Sequence, residues 1–400
     1  MAPIGDELSF AYGNSLPSHV RQPGKIPVFG SNGQVGWHSE AGITGPGIIV
    51  GRKGSVGEVK YSASDYWPID TTYYVVNPKA HNWRYLFYLL KHVDLTGLNS
   101  HSAVPGLNRE DAYAIQAWFP GAETQEKIAN ALDGMTSCLA LEEHAIISAQ
   151  RIKQATMHEL FARGLRGEVQ KETEIGLAPE SWEVVQLGSL GKIGNGSTPK
   201  KTVPEYWIGG TYPWLTSAKV YDREITSADQ FVTDTALAKC HLPRVKPGAV
   251  LMAITGQGKT LGHCAVLTIE SSVSQHVAYL QTDTSRANPS FVRGYLETQY
   301  EYLRQVASGG GSTKGALTCA FLKSLPIPLP ELVEQREIVT ILDAIDRKIA
   351  LHQQKESVLD ELFRSLLHKL MTGEISFEDL DLSALTPEEP QPKTEAEVQS

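Results

Sequence analysis

The chain has 400 residues, of which 41% are hydrophobic, and this is enough apolar material for the cores of two or more globular domains. No apolar run is long enough to span a bilayer, and the first residues lack the pattern of a secretion signal. The four cysteines are scattered, which argues against a structural zinc site or a disulfide framework and predicts a cytoplasmic protein. The net charge is −9, but residues 374–400 carry eight acidic side chains against one lysine, so composition neither supports nor excludes nucleic-acid binding.

The first part of the chain, up to residue 121, has the texture of a mixed α/β domain. Residues 47–50 and 73–76 are predicted to form strands, residues 30–33 a turn and residues 83–91 a helix. Glycine and proline are frequent between these elements. We therefore expect a globular domain with several short loops.

A long helical pattern follows, and it recurs at a constant offset of 210 residues. Apolar residues recur in steps of three and four over residues 128–160 and again over residues 338–370, which is typical of a coiled-coil seam. Gln125 of the first copy matches Gln335 of the second at this offset, and Asp133 matches Asp343. The chain therefore duplicates a unit that ends in a long helix.

Local signals mark the ends of the first long helix, and its middle is polar. Thr124 is a plausible N-cap, and Gly164 is a natural stop. Glu142 interrupts the first seam, as His352 and Glu356 interrupt the second. Antiparallel pairing would bring these polar centres together as a layer that fixes the register, whereas helices that splay apart would leave them in solvent. His158 and His368, which match at the same offset, are expected to pack.

The segment between the two helical patterns is a second globular domain, which matches the first poorly in sequence. Residues 249–254, 264–267 and 277–280 are predicted strands, and residues 291–304 a helix. Residues 253–260 fit a loose phosphate-loop pattern, but a strand rather than a helix follows them. A β-hairpin tip that places Lys259 near DNA is therefore favoured over nucleotide binding.

The order of these features resembles the specificity subunit of type I restriction-modification systems. The sequence LPIPLP followed by EQREI at residues 325–338 is similar to the entry of that family into its second helix, and PESWEVVQLG at residues 179–188 to its entry into a recognition domain. Residues 25–33, 51–57 and 102–108 resemble its recognition-domain landmarks. The resemblance covers residues 5 to about 375.

The resemblance implies an α+β architecture in which two target-recognition domains are separated by a pair of long antiparallel coiled-coil helices, as a pseudo-twofold internal repeat. The predicted segments are, in chain order, target-recognition domain 1 (1–121), long helix 1 (122–165), a linker (166–181), target-recognition domain 2 (182–330), long helix 2 (331–372) and an acidic tail expected to be disordered (373–400).

Polar and cationic side chains in the glycine-rich turns are the candidates for reading DNA, because such groups bind phosphates and base edges. Those of the first domain are Asn32, Gln34, Arg52, Lys53, Ser55, Ser100, His101 and Asn108. Those of the second domain are Lys200, Lys201, Thr216, Ser217, Lys219, Gln257, Lys259, Thr260, Gln275, His276, Ser312 and Lys314. No catalytic or metal-binding constellation is found.

The resemblance also implies a function and partners. The chain would be a non-catalytic subunit that reads a bipartite, asymmetric site in double-stranded DNA and directs two methylase subunits and the restriction/translocase subunits. S-adenosylmethionine, ATP and Mg²⁺ would be held by those partners and not by this chain, and no membrane would be involved. The alternatives are a coiled-coil protein-interaction scaffold, which would show no salt-dependent DNA affinity, and a nucleotide-using enzyme built around Lys259.

Overall fold

The computed structural model describes residues 1–98, 106–256, 258–309 and 315–376. Two compact units make up the chain: unit 1 combines residues 1–145 with the residues from 352 onward, and unit 2 comprises residues 146–351. Each unit contains one mixed α/β domain and a part of both long helices, which are the first long helix (Ala122–Arg163) and the second long helix (Leu332–Thr372). The sequence-based domain boundaries stay predictions.

The domain of unit 1 is built from short strands, a few short helices and 3₁₀ turns. Its strands are β1 (Ala2–Pro3), β2 (Ser9–Tyr12), β3 (Ile26–Gly30), β4 (Gly33–His38), β5 (Gly47–Gly51), β6 (Val59–Ser62), β7 (Trp67–Pro68), β8 (Thr72–Val76) and β9 (Gln116–Ala117). Its helices are α1 (Ile4–Glu7), α2 (Trp83–His92) and α3 (Arg109–Tyr113), with 3₁₀ turns at Ser18–Val20 and Leu95–Leu98.

Two sheets and one strand pair organise unit 1. The larger sheet has the order β2-β8-β5-β6 and is antiparallel throughout, and the smaller has the order β4-β3-β7, in which β3 and β7 are parallel. β1 pairs with β9. Strand β5 is buried along its whole length, and its Ile48 and Val50 share a core with Leu89 of α2 and with Leu132 and Leu370 of the long helices. The domain is thus joined to the helices through one apolar core.

The domain of unit 2 contains more elements. Its strands are β10 (Gln170–Thr173), β11 (Gly176–Pro179), β12 (Glu183–Gln186), β13 (Gly191–Asn195), β14 (Tyr212–Leu215), β15 (Glu224–Ile225), β16 (Gln230–Val232), β17 (Ala249–Ala253), β18 (Cys264–Leu267), β19 (Ser272–Val273), β20 (Val277–Thr282) and β21 (Pro326–Leu329). Its short helices are α4 (Asp234–Lys239), α5 (Pro289–Thr298), α6 (Tyr300–Gly309) and α7 (Cys319–Ser324), with 3₁₀ turns at Leu187–Leu190, Pro204–Tyr206 and Ser217–Tyr221.

Unit 2 repeats the topology of unit 1. Its main sheet, β13-β20-β17-β18-β15, begins with four antiparallel strands in the order of β2-β8-β5-β6 and then adds β15 in parallel. Its smaller sheet, β16-β14-β19, matches β4-β3-β7, including the parallel pair. The pair β12–β21 matches β1–β9. The duplication therefore extends through the globular domains, although their sequences match poorly.

The long helices follow the predicted seams. Ile128, Leu132 and Met135 are buried on the first helix, and Ile338 and Leu342 on the second. The helices run antiparallel within each unit, because residues of increasing number on the first helix contact residues of decreasing number on the second. In unit 1, Glu142 bonds to His352 while the residues from 132 to 135 share a core with those from 359 to 371. In unit 2, Lys153 pairs with Asp346 and the amide of Leu165 bonds to Glu334. The predicted α+β class with paired antiparallel helices is confirmed.

The polar centre of the helix pair lies in unit 1 and is closed to solvent at Glu142. The Glu142 carboxylate lies 2.7 Å from Nδ1 of His352 and 2.5 Å from Nζ of Lys355. Because Glu142 is buried, the alternative in which the helices splay around it is wrong. The layer differs from the predicted one in a single member: these bonds come from His352 and Lys355, while Glu356 lies half-buried beside them.

Three local expectations are wrong. The first long helix begins at Ala122, so Thr124 lies inside its first turn instead of capping it. The segment 291–304 is not one helix, because a break at Gln299 separates α5 from α6. His158 and His368 are exposed rather than packed in a core, although the rings of His368 and His92 are in contact, with their centres 5.3 Å apart.

Among the described residues, no helix combines the length and apolar character needed to cross a membrane.

Candidate nucleic-acid interface

One edge of the unit 1 domain gathers the predicted turns. The turn after β3 carries Asn32, and Gln34 follows it at the start of β4; both side chains are exposed. The loop after β5 passes directly beside it: a Cβ at Gly51 would lie 1.9 Å from the Ser55 carbonyl oxygen and 3.2 Å from that of Ser31. Only glycine permits this approach. The amide of Leu107 donates to the Arg52 carbonyl oxygen at 3.0 Å, which brings a third predicted segment to the same edge.

Cations at this edge are combined with an exposed aromatic ring. The guanidinium of Arg52 lies 5.2 Å from the centre of the Tyr12 ring, and that of Arg109 lies 4.9 Å from it. Arg52 also donates to the Asp70 carbonyl oxygen, at 2.6 Å from Nη2. Since the adjacent Lys53 is exposed, the edge presents several positive groups in a fixed arrangement. Such groups can bind phosphates or the acceptor edges of bases.

The remaining predictions for unit 1 have different outcomes. Ser55 is half-buried in the loop after β5. Asn108 is the N-cap of α3, since its Oδ1 accepts from the amide of Glu110 at 3.1 Å and its Nδ2 donates to Asp111. A local structural role therefore accounts for the Asn108 side chain. Ser100 and His101 lie outside the described residues.

The equivalent edge of unit 2 gathers several of the residues predicted for the second domain. Thr216 and Ser217 follow β14, as Asn32 follows β3. Gln275 and His276 precede β20, and both are exposed. The turn after β17 lies next to them, because Nδ1 of His276 is 2.6 Å from Oγ1 of Thr255. The same ends of matching strands thus carry polar side chains in both domains.

The connection from β17 to β18 is a hairpin, so the phosphate-loop interpretation fails. A phosphate loop requires a helix N-terminus after its glycines, whereas antiparallel strands flank this connection. Lys259 is exposed near its tip, and its carbonyl oxygen accepts a 2.6 Å bond from Tyr300. Oγ1 of Thr260 lies 3.0 Å from the Tyr221 hydroxyl. The tip is therefore held from two sides. Gln257, Ser312 and Lys314 lie outside the described residues.

Three lysines of unit 2 differ in how strongly their ammonium groups are engaged by other side chains of the chain. Lys200 is exposed. Nζ of Lys201 lies 3.6 Å from the centre of the Trp207 ring and donates to Gln230. Lys219 pairs with Asp229 at 3.0 Å and with Asp222 at 3.6 Å. The hydrogen bond to Asp229 is the main cause that raises the pKa of Lys219. Its charge is shared with two carboxylates, which makes Lys219 the weakest candidate of the three for a phosphate contact.

Sequence reasoning missed Tyr12 and Arg109 at the edge of unit 1. Arg109 and Tyr12 form the stacked arrangement with Arg52. Arg109 directly follows the predicted Asn108, so its chemistry was visible, but its approach to Tyr12 depends on the distant strand β2. Among the described residues, no group of His, Cys, Asp and Glu is arranged to hold a metal ion.

Comparisons with known proteins agree with this organisation. A family model described as the type I restriction modification DNA specificity domain matches residues 7–151 and 179–361. The MjaIX specificity subunit of a type I restriction enzyme from Methanocaldococcus jannaschii is 28% identical over 208 residues, which cover 51% of this chain and 47% of that protein. The chain thus spans about half the length of this relative.

Solved structures show the same fold. The S subunit of a type I restriction-modification system from M. genitalium has a TM-score of 0.61 at 16% identity, with 92% of this chain and 95% of that chain covered. A chain from a structure of complex assembly and conformational transition in the type I R-M system has a TM-score of 0.58 at 16% identity, with 94% and 97% covered. Since the family model matches more than half of the sequence, in two copies, the chain belongs to the type I restriction modification DNA specificity family.

Proposed function

We propose that this protein is the DNA-reading specificity subunit of a type I restriction-modification complex. Each unit would read one half of a bipartite site in double-stranded DNA. The observation that carries the proposal is the repeated edge of the two domains. Exposed polar and cationic side chains lie in the turns after β3 and β5 in unit 1, and after β17 and before β20 in unit 2, where the half-buried Thr216 and Ser217 follow β14. A duplicated fold with one reading edge per copy fits two half-sites.

The two half-sites would differ in sequence. Unit 1 offers Asn32 after β3 and Gln34 at the start of β4, whereas unit 2 offers Thr216 and Ser217 after the matching strand β14. Asparagine and glutamine can form paired hydrogen bonds with adenine, whereas short hydroxyl side chains are less selective. Because the topology is repeated while the reading side chains are not, an asymmetric site follows.

The chain would act without catalysis of its own and would recruit two methylase subunits through its long helices. Those helices expose apolar side chains at duplicated positions: Leu141 (67% exposed) matches Leu351 (62%), and Ile152 (58%) matches Leu362 (49%), at the offset of 210 residues. Large apolar side chains in solvent at repeated positions support a protein contact that occurs twice. Restriction/translocase subunits would join the complex through the methylase.

The chemistry would be supplied by those partners. S-adenosylmethionine would be bound by the methylase, and ATP and Mg²⁺ by the restriction/translocase subunits. The methylase would flip its target base out of the duplex to reach it. The residues of this chain would position the duplex through phosphates and select the site through base edges.

Co-expression with the partner methylase tests this proposal, with sequencing that detects methylated bases across the host genome. We expect modification within a split motif that has two dissimilar halves and an unread spacer. If the complex assembles but no motif is modified, and the chain shows no salt-dependent affinity for duplex DNA, the proposal is wrong and the protein is a coiled-coil scaffold.

A further inference from the structure

Each unit contains the same buried joint between its globular domain and its long helices. In unit 1, Gln125 is buried at the start of the first long helix. Its Nε2 donates to the Pro120 carbonyl oxygen at 2.8 Å, and its Oε1 accepts from the backbone amide of Asn82 at 2.9 Å. Asn82 in turn caps α2, with bonds from the amides of Arg84 and Tyr85. One amide side chain thus ties the start of α2 to the start of the long helix.

Unit 2 repeats these two bonds of the glutamine with equivalent atoms. Gln335 is fully buried, its Nε2 donates to the Pro330 carbonyl oxygen at 2.8 Å, and its Oε1 accepts from the backbone amide of Asn288 at 2.7 Å. Asn288 caps α5, the counterpart of α2. The glutamines and prolines match at the offset of 210 residues, whereas Asn82 and Asn288 lie in domains whose sequences match poorly. The joint is therefore retained where the surrounding residues are not.

A second link lies along the helix in both units. In unit 1, Nε of Arg84 on α2 donates to the Asp133 carboxylate at 2.9 and 3.1 Å, and the Tyr88 hydroxyl donates to it at 2.6 Å. In unit 2, Asp343 is the counterpart of Asp133, and it pairs with Arg223. Arg223 follows the 3₁₀ turn Ser217–Tyr221 and also pairs with Asp346. The aspartate is duplicated, but the arginine comes from a different element in each domain.

These polar links restrain the orientation of each domain on its helices, which the apolar core between them does less well. The burial of apolar area is non-directional, so by itself it discriminates weakly between related orientations of a domain on its helices. The links depend on the direction and length of their hydrogen bonds: a buried glutamine has fixed partners in both units, Arg84 pairs with one carboxylate through Nε, and Arg223 bridges two carboxylates through its two terminal nitrogens. Two such links, separated along the helix by the eight residues from 125 to 133 or from 335 to 343, restrain the domain against rotation.

We propose that Gln125 and Asp133 in unit 1, and Gln335 and Asp343 in unit 2, are positioning residues for sequence reading. Each pair holds the domain of its own unit in the orientation that presents the reading edge to one half-site. The inference rests on the proposed function and adds to it: selectivity for each half-site is controlled by the links between a domain and its helices, in addition to the side chains of the reading edge.

Single substitutions in the full chain, co-expressed with the methylase, test the inference. Asp133→Asn weakens the link to Arg84 and Tyr88 in unit 1, and Asp343→Asn weakens the link to Arg223 in unit 2. We expect each variant to reduce discrimination against single mismatches by about tenfold in one half of the motif, and the two variants to affect opposite halves. The readout is the relative methylation rate of a library of sites mismatched at each position.

The matched controls are Glu123→Gln and Glu159→Gln, because within the described part of the chain the ion pairs of these exposed carboxylates are with Lys127 and Arg163, each four residues away on the same helix. Both controls should leave the mismatch profile unchanged. Asp133→Glu and Asp343→Glu keep the charge and should restore most of the discrimination. Thermal melting of every variant identifies loss of folded protein.

The outcomes separate this inference from the proposed function. If the unaltered chain directs methylation to a split motif but Asp133→Asn and Asp343→Asn relax both halves equally, or neither half, the joint only stabilises the fold and the inference is overturned. If the unaltered chain directs no methylation at a split motif, the proposed function fails, and the positioning role fails with it.

Discussion

Lys53 and Lys259 are exposed at equivalent places, in the loops that follow β5 and β17, and each is available to a DNA phosphate. We expect Lys53→Ala and Lys259→Ala to weaken binding about equally for all sequences and to reduce the slope of log K against log salt by about 1 each, because one counterion fewer is released per lost contact. Fluorescence anisotropy with duplex DNA from low to high salt measures this slope.

Lys246 provides the control for this pair. It is exposed just before the start of β17, at the opposite end of the strand from Lys259. Lys246→Ala should leave the slope unchanged. If Lys246→Ala lowers the slope as much as Lys259→Ala does, the reading edge has been assigned to the wrong end of the sheet.

Trp182 illustrates a residue whose role is structural. Its Nε1 donates to Oε2 of Glu334 at 3.2 Å, and the amide of Leu165 donates to Oε1 of the same buried carboxylate at 3.1 Å. Trp182→Phe removes one donor from this carboxylate, so we expect a loss of about 1–3 kcal/mol in stability. Hydrogen exchange should become faster in unit 2 around β21 and remain unchanged in β5 of unit 1. Equal acceleration in both units would contradict this assignment.

At the scale of single residues, the sequence identified side-chain chemistry better than side-chain availability. Asn32 and Gln34 are exposed at the edge of unit 1, and Gln275 and His276 at the equivalent edge of unit 2, as a reading role requires. Asn108 is engaged as a helix cap and Lys219 in ion pairs, and both facts depend on partners that local patterns cannot identify. The actual DNA contacts of all these residues stay predictions.

At the scale of elements, the polar layer around Glu142 should make the stability of unit 1 depend on pH. Hydrogen bonds from Lys355, and next from His352, lower the pKa of Glu142 below its usual value of 4.5. A carboxyl whose pKa is lower in the folded state stabilises the protein above its unfolded pKa and loses that contribution as the pH falls through the folded pKa. We therefore expect stability to decrease below about pH 4.5, in part through this group.

Glu142→Gln tests that assignment. The amide can still accept a hydrogen bond, but it cannot be protonated in this range. Urea denaturation between pH 3 and pH 7 measures the free energy of unfolding of both proteins. The variant should lose less stability at low pH, and it should be less stable than the unaltered protein at about pH 7, where the Glu142 carboxylate is charged. Identical acid profiles for the two proteins would mean that Glu142 does not contribute.

The elements themselves were predictable to different extents. The long helices follow from apolar steps of three and four, because one helix face alone must be buried against its partner. The repeated sheet topology was not predictable, since different sequences such as GIIVG in β5 and AVLMA in β17 satisfy the same requirement for a fully buried strand. The parallel pairs β3–β7 and β14–β19 join strands that are far apart in sequence, which no local pattern encodes.

At the scale of the whole molecule, the long helices are continuous elements to which both units contribute residues, so their length is expected to set the spacer between the half-sites. A four-residue insertion in each helix adds about 6 Å of rise, which corresponds to about one to two base pairs of duplex. We expect a methylated motif with the same halves and a spacer lengthened by that amount. An insertion of alanine-rich sequence in both helices, between residues 145 and 146 and between residues 351 and 352, keeps the added lengths equal.

Insertion in one helix alone should abolish or impair modification, because the seams would lose register on one side of the insertion. Altered halves with an unchanged spacer would exclude the helices as the element that measures this distance.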